Sequence, residues 1–189
     1  QGKYNLRIRK TLEAIYKHYD GDRTSDDFKA LEVYLKRVWF SSGIYHHYGC
    51  EKFKPVFSEH FFYEAVSMMP ETELPLKRGE TKEDLLDELV PVIFDEEILP
   101  KRVNQTDGVD LVATSACNFY ENVTQNEVER FYAKLKDGED LTPPSYGLNS
   151  KLMKRNGEIV EMTWKEDGMY GTAIKEITSW LLKAQKYAE

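Results

Sequence analysis

The chain has 189 residues, of which 41% are hydrophobic and 31% charged, a balance that suits one globular domain or a close pair of subdomains and excludes a disordered segment. Its net charge of -7 argues against a nucleic-acid backbone or an anionic membrane surface as partner, because both require a basic face. No apolar run approaches the ~20 residues of a membrane span.

Residues 4 to 19 read as a first helix, with Ile8, Leu12, Ile15 and Tyr19 at spacings of three and four. Asp20-Gly21-Asp22 ends it, and Ser25 or Asp26 caps a second helix that carries Phe28, Leu31, Leu35, Val38 and Trp39 on one face. The short polar link between the two predicts an antiparallel pair. The second helix stops at Ser41-Ser42-Gly43, and an irregular aromatic loop, 41–55, follows: FSSGIYHHYGCEKFKP from Phe40 to Pro55.

A third helix is expected from Ser58, with Phe57 and Phe62 placed as a hydrophobic staple. After a loop from Pro70 to Gly79, Thr81 and Asp84 form a capping box ahead of Leu85, Leu86 and Leu89, and Pro91 should end or kink that helix. Residues 99–108 are rich in turn formers. DLVATSACNFYE, from Asp110, suits a strand. Thr124 and Glu127 make a second capping box before Val128, Phe131, Tyr132 and Leu135, and Gly138 with Pro143-Pro144 breaks the helix. Asn156-Gly157 between two alternating runs marks a hairpin over 146–164, since both residues tolerate positive φ. A last helix runs from about Thr172, with Ile174, Ile177, Leu181 and Ala184 inward, up to the final residues.

These elements predict a helix-rich α+β chain with a small antiparallel sheet, made of a strand near 110–119 and the hairpin 146–164. Three stretches follow: a helical subdomain 1–69, a connection 70–108, and a strand-helix-hairpin-helix subdomain 109–189, packed as one compact unit. The periodic end and the Gln1-Gly2 start suggest a piece of a longer protein. Cytoplasm is the expected compartment, with export left open for the same reason. Asn104-Gln105-Thr106 and Asn122-Val123-Thr124 match glycosylation acceptors, but such motifs recur by chance and Thr124 already has a capping role.

Little in the chain has the spacing of a catalytic or metal centre. His46 and His47 are adjacent, so on a regular element their side chains diverge; only an irregular loop could aim both at one ion, with Cys50 and Glu51 as further ligands. His60 and Glu64 share a helix face that could form one metal edge, or simply an exposed surface. HExxH, a nucleophile elbow and a P-loop are missing from the sequence. Cys50 with a neighbouring histidine reads first as a loop cysteine beside a surface histidine. Cys50 and Cys117 are expected to be free thiols, though a single bridge stays possible. What stands out instead is Tyr45, His46, His47 and Tyr48 flanked by Gly43 and Gly49, aromatic and hydrogen-bonding equipment of the kind that forms a binding wall.

The run from Gly43 to Pro55 resembles the dipeptidyl peptidase III family of zinc peptidases, whose pattern here is roughly G-x-Y-x-x-aromatic-G-x-x-K-F-x-P. TSACNFYENVTQNEVERFYAKL, PPSYGLNSKLMKRNGEIVEMTWK and GMYGTAIKEITSWLLKAQKYAE fit the same family, closest to bacterial members of Bacteroides-like organisms; 70–108 is the weakest part. The resemblance implies the N-terminal part of a two-lobed enzyme that removes dipeptides from peptide N-termini, within the lobe that contains a β-barrel. It implies a zinc cofactor in the parent protein, activating water with a glutamate as base. The HExxGH ligands lie downstream, so no catalytic residue and no metal ligand are expected in this chain, and alone it should be inactive and bind no zinc. Its implied partners are an oligopeptide substrate and the zinc-binding lobe of the same parent. Tyr48 corresponds to the aromatic position at the substrate cleft, with His47 before it and Tyr45 beside it as further substrate-binding candidates. The rival reading is a free-standing module that binds a peptide or protein without chemistry.

Overall fold

The computed structural model describes residues 4–136, 138–140, 142 and 145–188. Pro143 and Pro144, expected to break the helix after Thr124, lie outside the described residues. The chain is a helix-rich α+β structure with six helices and one small sheet among the described residues. It divides into two compact units, Gln1–Cys117 and Asn118–Glu189. No helix among the described residues is long and apolar enough to cross a membrane.

The first unit is helical. α1 (Asn5–His18) packs on α2 (Asp26–Ser41), α3 (Glu59–Met68) follows the aromatic loop, and α4 (Lys82–Phe94) packs on α3. The starts of α2, α3 and α4 each have a side-chain cap. Ser25 Oγ accepts from Phe28 N at 3.2 Å and Ser58 Oγ from Phe61 N at 3.1 Å. Thr81 and Asp84 cap α4 reciprocally, which holds the Asp84 carboxyl below its usual range. Phe57 and Phe62 rings meet at 6.2 Å across the start of α3, as the staple predicts. The core forms where the apolar stripes converge: Ile8, Leu12 and Ile15 with Leu31, Leu35 and Val38, closed by Phe62, Leu89 and Ile93.

Two details differ from expectation. Trp39 is not on the buried face of α2; its Nε1–H donates to Glu13 Oε1 at 2.7 Å and its ring meets Tyr16 edge-on at 6.1 Å. Its amphipathic ring caps the α1–α2 seam rather than filling it. α4 does not stop at Pro91 but continues to Phe94, so the proline stands in its last turn.

Tyr34 lies inside this core, 2% exposed, with its ring edge-on to Phe57 at 5.4 Å. Its hydroxyl has no hydrogen-bond partner among the described residues, and burial holds the phenol well above its usual range. Tyr34→Phe is therefore expected to stabilise the unit, by up to about 1 kcal/mol in urea unfolding, because it deletes a desolvated polar group. A loss of more than about 1 kcal/mol would instead mean that the hydroxyl is satisfied.

Residues 110–119 do not form the expected strand. Asp110 Oδ1 accepts from Val112 N at 3.0 Å and Ala113 N at 2.8 Å, Thr114 Oγ1 donates to Asp110 O at 2.6 Å, and Ser115 Oγ donates to Leu111 O at 2.6 Å. Short polar side chains here bond their own backbone and coil the segment into turns.

The second unit holds the sheet. β1 is only Tyr120–Glu121, α5 is Gln125–Ala133, β2 is Ser150–Arg155 and β3 is Glu158–Thr163. β2 and β3 form the expected antiparallel hairpin, with Asn156 at φ 51° and Gly157 at φ 83°. β1, however, pairs parallel with β2, so the sheet is mixed rather than antiparallel. The connection through α5 explains this: a helical crossover returns the chain to the same end of the sheet. The order is β1-β2-β3, and among the described residues no barrel closes. Thr124 and Glu127 cap α5 as expected.

α6 (Gly171–Ala188) forms where predicted, but its inward face does not. No residue of α6 is buried; Ile177, Trp180, Leu181 and Leu182 are each more than half exposed. The helix rests on the good intrinsic propensity of its Ala, Leu, Lys and Gln residues rather than on packing within the described residues.

Candidate functional site: an aromatic loop beside a groove

The site grows out of the end of α2. Gly43 N donates to Val38 O at 2.9 Å, a helix-terminating bond over which Ser42 adopts the left-handed conformation at φ 56°. Ile44 and Tyr45 then enter the core. Phe53 N donates to Ile44 O at 2.8 Å, and Tyr45 bridges Lys52, so 44–53 folds as a small hairpin. His46 N to Glu51 O at 2.8 Å and Cys50 N to His46 O at 3.0 Å close its tip.

Three side chains fix the hairpin from within. Tyr45 Oη donates to Leu99 O at 2.9 Å. His46 Nδ1 lies 3.3 Å from Tyr48 N and 3.1 Å from Gly49 N, both of which donate to it, so its proton sits on Nε2 in the neutral ring. Lys52 Nζ donates to Val92 O at 2.9 Å, Asp95 O at 2.5 Å and Ile98 O at 2.7 Å, spending all three of its donors on the C-terminal end of α4 and the turn beyond. Burial lowers the Lys52 ammonium from its ordinary value, and the carboxylates of Asp95 and Glu96 oppose that shift.

The outward side of the hairpin is aromatic. The His46 and His47 rings stack at 4.7 Å, the Tyr48 ring lies 4.3 Å from His47, and Phe40 of α2 meets His47 edge-on at 5.0 Å. Tyr48 is 84% and Phe40 77% exposed, a large apolar display for two rings on either side of His47. Beneath the row runs an open groove of about 600 Å³, walled by Val33, Lys36, Arg37 and Phe40 of α2 and by Ser41, His46, His47, Glu51 and Phe53.

The three candidates separate by role. Tyr48 stands at the tip, His47 forms both the row and the groove wall, and Tyr45 is a core residue whose hydroxyl is committed to Leu99. Cys50 and Cys117 are free. The histidine pair does not suit zinc: His46 Nδ1 already accepts two backbone N–H groups, the rings stack rather than converge, and no cluster of three or more His, Cys, Asp or Glu among the described residues could hold a metal ion. His60 and Glu64 remain an exposed pair at 3.3 Å.

The wall contributed by α2 was not anticipated from the sequence. Val33, Arg37 and Phe40 recur at four and three residues on the solvent side, a weak second stripe opposite the strong core stripe.

No protein-family model matches this chain, and no curated protein matches it.

Proposed function

We propose that the chain is a non-catalytic N-terminal segment of a zinc-dependent dipeptidyl peptidase and supplies one wall of its substrate cleft, in the lobe that carries a β-barrel in the parent. The observation that carries this reading is how the residues of the Gly43–Pro55 pattern divide. Gly43 ends α2, Tyr45 and Phe53 pack inward, and Lys52 is consumed by three carbonyls. Tyr48 is the one aromatic side chain of the pattern that is turned to solvent. An exposed tyrosine on an anchored loop is available for a ligand: it brings a flat apolar surface and a polar tip at little cost in ordering.

In this reading the chain binds and orients. The ring row of Phe40, His47 and Tyr48 would cover apolar side chains of an oligopeptide, and the groove would exclude water along one side of it. The zinc would be held by the other lobe of the parent, and no reaction step passes through the residues described here.

In the parent enzyme, Tyr48→Ala is expected to lower kcat/KM about fivefold, which corresponds to the roughly 1 kcal/mol of one lost aromatic contact. Thermal stability should not change, since the ring touches only neighbours in its own loop. As a control, the 189-residue chain alone should cleave none of the same peptides. Unchanged kinetics across several peptides would overturn the reading.

A further inference from the structure

The groove is not electrically neutral in its details, and one of its charges is unused. Lys36 Nζ is held by Glu32 Oε1 at 2.8 Å. Glu51 lies at the hairpin side of the groove, its Oε1 3.9 Å from His46 Nδ1. Arg37, one turn from Phe40 on the same face of α2, is exposed and has no hydrogen bond or ion pair with any described residue. It also borders the adjoining depression lined by Ala30, Val33, Tyr34, Lys54 and Val56. Its guanidinium therefore stands uncompensated beside the apolar side chains of Val33 and Phe40.

We infer that this groove selects for an acidic side chain in the bound peptide, with Arg37 as its specificity-determining residue. A carboxylate matches the planar fork of a guanidinium, and a neighbouring apolar side chain of the same peptide would lie on Phe40 and His47. Arg37 suits the task better than Lys36, whose charge Glu32 already neutralises. The polarity is set: Glu51 on the facing wall repels a second acid, so the acidic side chain belongs on the α2 side of the groove. This inference rests on the reading of the groove as a peptide wall.

Two blocked pentapeptides, amidated at the C-terminus and differing only in a central Glu or Gln between aromatic residues, test it by calorimetric titration of the 189-residue chain. The Glu peptide should bind about three- to fivefold more tightly, the range expected of a partly exposed charge pair, and added salt should shrink the difference. Arg37→Gln should equalise the two peptides, and Arg37→Lys should keep part of the preference. Equal binding by the native chain, a preference that survives in Arg37→Gln, or no binding of either peptide would overturn the inference. Tyr48→Ala separates the two claims. If it weakens both peptides alike and leaves their ratio unchanged, the wall and the acid site both stand. If it weakens neither while the ratio still depends on Arg37, the acid site stands and the reading of the aromatic loop fails.

Discussion

Gly43→Ala is expected to lower the stability of the first unit by about 2–4 kcal/mol in urea unfolding, and to loosen the aromatic loop at its root. Two causes add. Gly43 sits at φ 153°, a backbone region that residues with a Cβ rarely enter. The added carbon would also lie 2.1 Å from Asn5 Nδ2 and 2.4 Å from Asn5 Cγ. Asn5 is buried at the start of α1, and its Oδ1 is the acceptor nearest Ile44 N, at 3.5 Å. Displacing Asn5 therefore strips a buried amide at the very point where the hairpin begins. Gly79→Ala is a reference without the steric contact: its φ is 80°, a milder positive value, and nothing lies within 4 Å of the added carbon. That variant should cost only about 1 kcal/mol. If Gly43→Ala proved no worse than Gly79→Ala, the contact with Asn5 would carry no energy.

The contrast between these two glycines shows what a sequence can and cannot disclose. Both look like loop punctuation, and the end of α2 at Ser41-Ser42-Gly43 was legible as such. That Gly43 lies against Asn5, on a helix almost forty residues earlier in the chain, is a tertiary fact. Local signals were read well because they are local: both capping boxes, the staple of Phe57 and Phe62 and the Asn156-Gly157 turn depend on residues within a few positions of one another. The strand near 110–119 failed for a competing local reason. Its β-forming composition was outweighed by Asp110, Thr114 and Ser115, whose side chains bond the backbone within four residues. The parallel pairing of β1 was illegible, because strand direction is settled by the crossover and not by the two residues that pair.

The candidate site divides the same way. Tyr48 and His47 could be singled out by residue type and flanking glycines. Tyr45 looked equivalent to them, and only the fold distinguishes it by sending its hydroxyl to Leu99. Arg37 and Phe40 carried almost no signal, since one charged and one aromatic residue on the outer face of a helix is ordinary composition. They acquire meaning only because the hairpin folds back over them.

Lys52→Met should cost about 2–3 kcal/mol, more than a surface lysine normally carries, because three carbonyl oxygens lose a charged donor at once. Methionine keeps the length of the stem, so packing along it is preserved and the loss reports on the ammonium. The affected acceptors are Val92 O, Asp95 O and Ile98 O, which join the end of α4 to the turn before Leu99. That turn in turn supplies the carbonyl that holds Tyr45, and Pro100 O accepts from Lys52 N at 2.9 Å. The damage should therefore spread into the hairpin: amide exchange at Lys52, Phe53 and His46 should accelerate by more than the drop in global stability explains. Lys52→Arg is the discriminating partner, since a planar fork cannot face three carbonyls as a tetrahedral ammonium does, and it should restore charge but only part of the stability. Were Lys52→Arg as stable as the native chain, the cap would be a matter of charge near a helix end alone. Were Lys52→Met equally stable, the three carbonyls would be satisfied by solvent, and the aromatic loop would have to owe its position to Tyr45 and His46.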